Sequence, residues 1–122
     1  MTDTALVDTW RDLLDRYARS VGALERRLEE EHGLGVSEYE VLERLAQPKD
    51  EHRMQELADD VHLSQSALSR LVGRLEEEDL VTRAICEHDR RGISACITDK
   101  GRERYEAAKP THRRVLAETL GG

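Results

Sequence analysis

A mainly α chain with one small antiparallel β-hairpin is the fold class this sequence predicts, and three observations predict it. Apolar residues recur at intervals of 3 and 4 over residues 6–28. The same spacing returns in two short stretches, 54–61 and 68–75. Two alternating runs, Val81/Arg83/Ile85 and Ile93/Ala95/Ile97, bracket a charged turn containing Gly92. Spacings of 3 and 4 mark helices, and alternation about a glycine turn marks a hairpin. The 122 residues suffice for one core and one domain, 1–122. With no Phe, 3 Tyr and 1 Trp, that core is aliphatic, led by Leu and Val.

The first helix carries Val7, Trp10, Leu14, Tyr17, Val21, Leu24 and Leu28 on one seam, widened by Leu6 and Leu13. So narrow and long a stripe belongs to a helix packed lengthwise on another. It must be covered either by later helices of the same chain or by a second chain. Gly33-Leu34-Gly35 ends this helix, and Ser37 with Glu40 makes a capping-box pattern for the next. That helix runs through Val41, Leu42 and Leu45 toward Pro48, and residues 48–53 form a polar connector with a short strand near Arg53.

Met54, Leu57, Ala58 and Val61 form one apolar face; Leu68, Leu71, Val72 and Leu75 form another. Val61-His62-Leu63 is too short for a separate loop, and Ser64 is placed to cap the second helix. A helix-turn-helix of this kind pushes one helix outward, and the usual receptor is the DNA major groove. At about 100° per residue, Ser66, Ser69, Arg70, Gly73 and Arg74 lie opposite the Leu stripe. Hydroxyl and guanidinium groups match base edges and phosphates. Ser64, Gln65, Ser66, Ser69 and Arg70 are therefore the candidates for the major groove, with Arg74 on phosphate, and Gly73 lets a bulky partner approach. A solvated helix face is the ordinary alternative.

A hairpin directly after a helix-turn-helix is a wing. Its tip carries Arg90 and Arg91, suited to a narrow, electronegative minor groove, and Asp89 is close enough to pair with Arg91 and hold the loop. The last helix begins at Thr98 or Asp99, and Pro110 should kink or divide it. Its basic residues read as a solvent face, with Val115, Leu116 and Leu120 packing on the first helix of the same or a partner chain. The chain is thus organised as an N-terminal dimerisation helix (1–32), a winged helix-turn-helix reading head (37–98) and a C-terminal helix (99–122).

Residues 34–102 resemble the MarR-type winged-helix transcriptional regulators. The resemblance rests on Leu34-x-x-x-Glu38-Tyr39-x-Val41-Leu42, Glu56-Leu57-Ala58, the run from Leu63 to Val72, Arg74-Leu75-Glu76, Leu80-Val81-Thr82-Arg83, Asp89-Arg90-Arg91 and the run from Ile97 to Arg102, in order and at the family's spacing. It implies a homodimer on a short palindromic operator in double-stranded DNA, usually repressing, and often released by a small aromatic ligand or by thiol oxidation. Asp79 departs from the family, standing where glycine usually precedes Leu-Val. A further C-terminal helix beyond Gly122, completing the dimer, is also expected from the family.

Net charge is −7, unusual for a protein that binds DNA, but it is unevenly spread. Residues 1–61 hold 16 acidic against 8 basic side chains, whereas residues 62–122 hold 10 against 11. The acid sits away from the proposed reading surface, which orients the approach. No apolar run is long enough for a membrane span or a signal peptide, and two cysteines suit a reducing compartment, so the expected location is the cytoplasm. Catalysis lacks support: there is no phosphate loop, His-Glu-x-x-His pair or Gly-x-Ser-x-Gly nucleophile, and nothing calls for a cofactor.

Three subsidiary readings follow. Trp10, Tyr17 and Tyr39 are the candidates for an aromatic effector pocket, unless they are simply core. Cys86 and Cys96 could face each other across the hairpin as a thiol switch, or be two small apolar side chains. Cys86-x-His88 with Cys96 has the donors of a metal site but lacks a fourth ligand. A winged helix that docks a protein instead of DNA is the competing class. The basic pairs Arg70/Arg74 and Arg90/Arg91, without an aromatic anchor, argue for DNA.

Overall fold

The computed structural model describes residues 2–85 and 92–121, with Ile85 by its backbone alone. The elements are α1 (Asp3–His32), α2 (Val36–Leu45), β1 (His52–Arg53), α3 (Met54–Asp60), α4 (Gln65–Glu77), β2 (Val81–Ile85), β3 (Ile93–Ile97) and α5 (Asp99–Leu120). The mainly α class with a small antiparallel sheet is what the chain adopts. It folds as two compact units, residues 1–36 with 108–122, and residues 37–107. The second unit runs past residue 98 because the start of α5 contributes buried side chains to it, among them Tyr105, whose ring lies 5.8 Å from that of Tyr39. Among the described residues no helix is long and apolar enough to cross a membrane.

In the first unit, Thr2 caps α1 by accepting the Ala5 N–H at 3.1 Å, and Asp3 places negative charge at the helix's positive end. Thirty residues carry the helix about 45 Å. It stops at Gly33, whose φ of 65° is left-handed and whose N–H returns to the Glu29 carbonyl. The second half of α1 is fastened to α5: Ser20 Oγ donates to Thr119 Oγ1 at 3.0 Å, Arg27 reaches Glu118 at 3.4 Å, and Thr111 Oγ1 lies 2.9 Å from His32 Nε2. Ser20, Leu24 and Leu28 are buried there. The first half is different: Leu6, Val7, Trp10, Leu13, Leu14 and Tyr17 are all exposed. Of the two outcomes expected at Pro110, a kink or a division, the division does not occur: α5 runs as one helix through it. The proline removes one backbone bond of a 22-residue helix, and the flanking turns hold the rest.

In the second unit, α2 starts at Val36, one residue before the expected cap, so Ser37 lies in its first turn; Tyr39, Val41, Leu42 and Leu45 are buried. The short strand expected near Arg53 forms and pairs antiparallel with β3, giving a three-stranded sheet in the order β1-β3-β2. Thr98, not Asp99, caps α5: its Oγ1 accepts the Gly101 N–H at 3.0 Å and donates to the Asp79 carbonyl at 2.7 Å. Its own N–H reaches the Leu80 carbonyl at 3.0 Å. The close approach needs Gly101, where a Cβ would fall 2.1 Å from the Leu80 oxygen. Leu57, Ala58, Leu68, Leu71, Val72, Leu75, Leu80, Val81 and Ala95 form the core beneath α3, α4 and the sheet.

Candidate nucleic-acid interface

The turn between α3 and α4 is as tight as its sequence demands. Helix α3 closes with the His62 N–H on the Asp59 carbonyl (3.3 Å) and the Leu63 N–H on the Ala58 carbonyl (3.0 Å). This paired closure needs a left-handed residue, and His62 supplies it with φ 59°. Ser64 then caps α4 by accepting the Ala67 N–H at 3.1 Å. The α4 C-terminus repeats the device: the Asp79 N–H returns to Glu76 and the Leu80 N–H to Leu75, with Asp79 at φ 63°. Both helix ends use the conformation glycine favours, and neither has glycine.

Helix α4 presents three stripes. Leu68, Leu71, Val72 and Leu75 face the core. Gln65, Ser66, Arg70 and Arg74 are exposed, and neither arginine is engaged by an acidic side chain among the described residues. Ser69, Gly73 and Glu76, spaced 4 and 3 apart, make the third stripe, and it faces the wing strand β2. Arg83 of β2 donates from Nε to Glu76 Oε1 at 2.6 Å, from Nη1 to Ser69 Oγ at 3.2 Å and from Nη2 to the Ser69 carbonyl at 2.8 Å. Gly73 therefore makes room for the chain's own arginine: a Cβ there would stand 3.3 Å from Arg83 Nη2. This corrects the expectation that its bare surface receives an outside partner. Arg83 was missed as a site residue, although an arginine between Val81 and Ile85, on the inward set of an alternating strand, was the available signal.

The wing strands pair as Val81↔Ile97, Arg83↔Ala95 and Ile85↔Ile93. Ser94 and Ala95 are buried and Cys96 is exposed. Cys96 stands opposite Thr82, the place that the thiol-pair reading gave to Cys86; pairing the isoleucines and Val81 fixes this register. Cys86, His88, Asp89, Arg90 and Arg91 lie outside the described residues. Of the aromatic trio, Tyr39 is fully buried in the reading head, while Trp10 and Tyr17 are exposed on α1 at 60% and 68%.

The family model for the MarR family matches residues 34–93. Over 108 residues the chain is 30% identical to the HTH-type transcriptional regulator MhqR of Bacillus subtilis (strain 168), spanning 88% of this chain and 74% of the relative. The chain belongs to the MarR family. Solved MarR structures agree throughout its length. AbsC from Streptomyces coelicolor superposes with a TM-score of 0.85 at 34% identity, covering 98% of this chain and 80% of AbsC. Sco3205 from the same organism, solved in complex with DNA, gives 0.86 at 30% identity, covering 98% and 76%. Like its relatives, this MarR protein is a DNA-binding transcriptional regulator.

Proposed function

We propose that this MarR-family regulator binds a palindromic operator as a homodimer and represses transcription from it, with Gln65, Ser66 and Arg70 toward base edges and Arg74 toward phosphate. The observation that carries the reading is the α4 surface itself: two exposed arginines beside small hydroxyl side chains, on a helix capped and turned outward by Ser64. Homodimerisation is supported by the apolar first half of α1, where six large side chains are exposed side by side. Two linked reading heads would place two α4 helices on half-sites about one helical turn apart. Ser69 takes a different part, since Arg83 already holds it. Ser64 contributes through the cap.

The test is binding to a duplex selected by the protein from a randomised pool, beside a scrambled duplex of equal length, with molar mass followed by light scattering. The expected result is a dimer that prefers the selected duplex. Arg70→Ala should lower affinity for that duplex more than for the scrambled one, and equal losses would remove Arg70 from base reading. Arg90→Ala should flatten the salt dependence; an unchanged slope takes the wing tip out of the interface. Release by a small aromatic ligand belongs to the same proposal through family membership, and a thermal-shift panel of aromatic acids tests it.

A further inference from the structure

We propose that Arg83 is a positioning residue for DNA reading, which locks the wing to the recognition helix so that the two meet DNA as one rigid body. The inference rests on the reading that α4 and the wing are the DNA-facing elements, and it concerns a residue that lies between them and needs no DNA contact of its own.

Three features carry it. First, among the described residues β2 is an edge strand that pairs with β3 alone, so its other side has no strand neighbour to fix it. Arg83 supplies the missing attachment, with each of its three nitrogens on a different acceptor of α4. Second, those acceptors suit a planar fork and not a point charge. One is a carboxylate, one a hydroxyl and one a main-chain carbonyl within a helix, and lysine could not serve all three. Third, α4 is shaped to receive the group. Gly73 follows Ser69 by one turn, and its missing side chain leaves the space that Nη2 occupies, 3.3 Å from where a Cβ would be. Arg83 is only partly exposed, with 28% of its side chain open to solvent.

The geometry has a chemical corollary. Ser69 Oγ accepts from Arg83, so its own proton is directed away from the guanidinium. The clamp thus orients the hydroxyl as well as the strand. A helix in one groove and a hairpin in the next must arrive at a fixed separation, and a small misplacement of either weakens the whole set of contacts.

The test exploits a disagreement in sign. Glu76→Gln removes a negative charge from a DNA-facing element, so bulk electrostatics alone would tighten binding to every duplex. The clamp requires the reverse on a specific site. With the selected and scrambled duplexes described above, we expect Glu76→Gln and Arg83→Lys each to lower affinity for the selected duplex about tenfold, with little change on the scrambled one. Gly73→Ala should act in the same direction, more weakly. In the DNA-free protein, amide exchange should rise in β2 and β3 and stay unchanged in α1. Binding is measured well below each variant's melting temperature, so lost stability does not imitate lost positioning.

Tighter binding of Glu76→Gln to the selected duplex overturns the proposal and marks Arg83 as a direct phosphate contact. Full activity of Arg83→Lys overturns it too, because one point charge would then suffice. Unchanged exchange in the wing strands of Arg83→Ala removes the clamp. A wild-type protein that enriches no duplex while its Arg83→Ala variant still loosens the wing would instead leave the clamp in place and overturn the DNA-reading assignment.

Discussion

The two halves of α1 carry the same apolar spacing and meet opposite fates. From Ser20 onward Leu24 and Leu28 are buried and Val21 half-buried, and polar side chains at Ser20, Arg27, Glu31 and His32 tie this half to α5. Before residue 18 the stripe is bare, with Tyr17 exposed at 68% and Leu13 at 57%. A repeat pattern therefore states that a surface wants covering and leaves open which chain covers it. The polar fastenings decide the matter for one half. Exposed apolar area of this kind on a helix is the ordinary mark of an interaction surface.

Substitutions can break that contrast. The largest effect is expected at Leu28, fully buried, where Leu28→Ala should cost about 2–5 kcal/mol in urea unfolding at any protein concentration. Leu13→Ala should cost less than about 0.5 kcal/mol in the dissociated chain, and its effect should grow with protein concentration as chains associate. A concentration-independent loss equal to that of Leu28→Ala would refute the assignment of the first half to a second chain. Trp10 is the sole tryptophan and stands in the bare half, so its fluorescence should shift to the blue as concentration rises. Constant emission across a transition seen by light scattering would put the association surface elsewhere.

A second contrast lies between a helix that ends on glycine and two that do not. Gly33 closes α1 at φ 65°, whereas Asp79 closes α4 at φ 63° with a Cβ present. Asp79→Gly should add about 0.5–1 kcal/mol of stability, read as a higher urea midpoint with an unchanged slope. Destabilisation would mean that the aspartate side chain supplies something the backbone does not. The smallest effect concerns Glu31, whose carboxyl is held below the usual range chiefly by the hydrogen bond from Arg27. A depressed carboxylate stabilises the fold above its ordinary value of 4.5, and that share is lost as pH falls through the folded value. Glu31→Gln should therefore flatten the acid side of the stability profile slightly. An identical profile would show that the pair contributes nothing.

Much of this architecture was legible in residue spacing. The Leu stripes of the helix-turn-helix, the Ser64 cap and the paired strands of the wing came directly from periods of 3.6 and 2. What escaped was long-range or covalently inconspicuous. Ser69 and Gly73 were legible as facing away from the core, but helical spacing cannot tell a third stripe from an outward one. Only the fold brings Arg83, 10 residues after Gly73 in sequence, against both. The position of Cys96 escaped for a related reason: alternation gives the face of a strand, whereas register decides that Thr82 stands opposite it. Pro110 does not divide α5, because a single missing backbone bond is outweighed by the rest of a 22-residue helix.

Gly101 draws a different boundary, on the variation the chain can accept. Any other amino acid brings a Cβ that would collide with the Leu80 carbonyl oxygen at 2.1 Å, whereas a Cβ at Gly22 meets nothing within 4 Å. In a saturation library, position 22 should return many functional alleles and position 101 almost none, with position 73 between them. Two glycines identical in the sequence would then sit at opposite ends of the allele-frequency scale, one interchangeable and the other a single-letter alphabet.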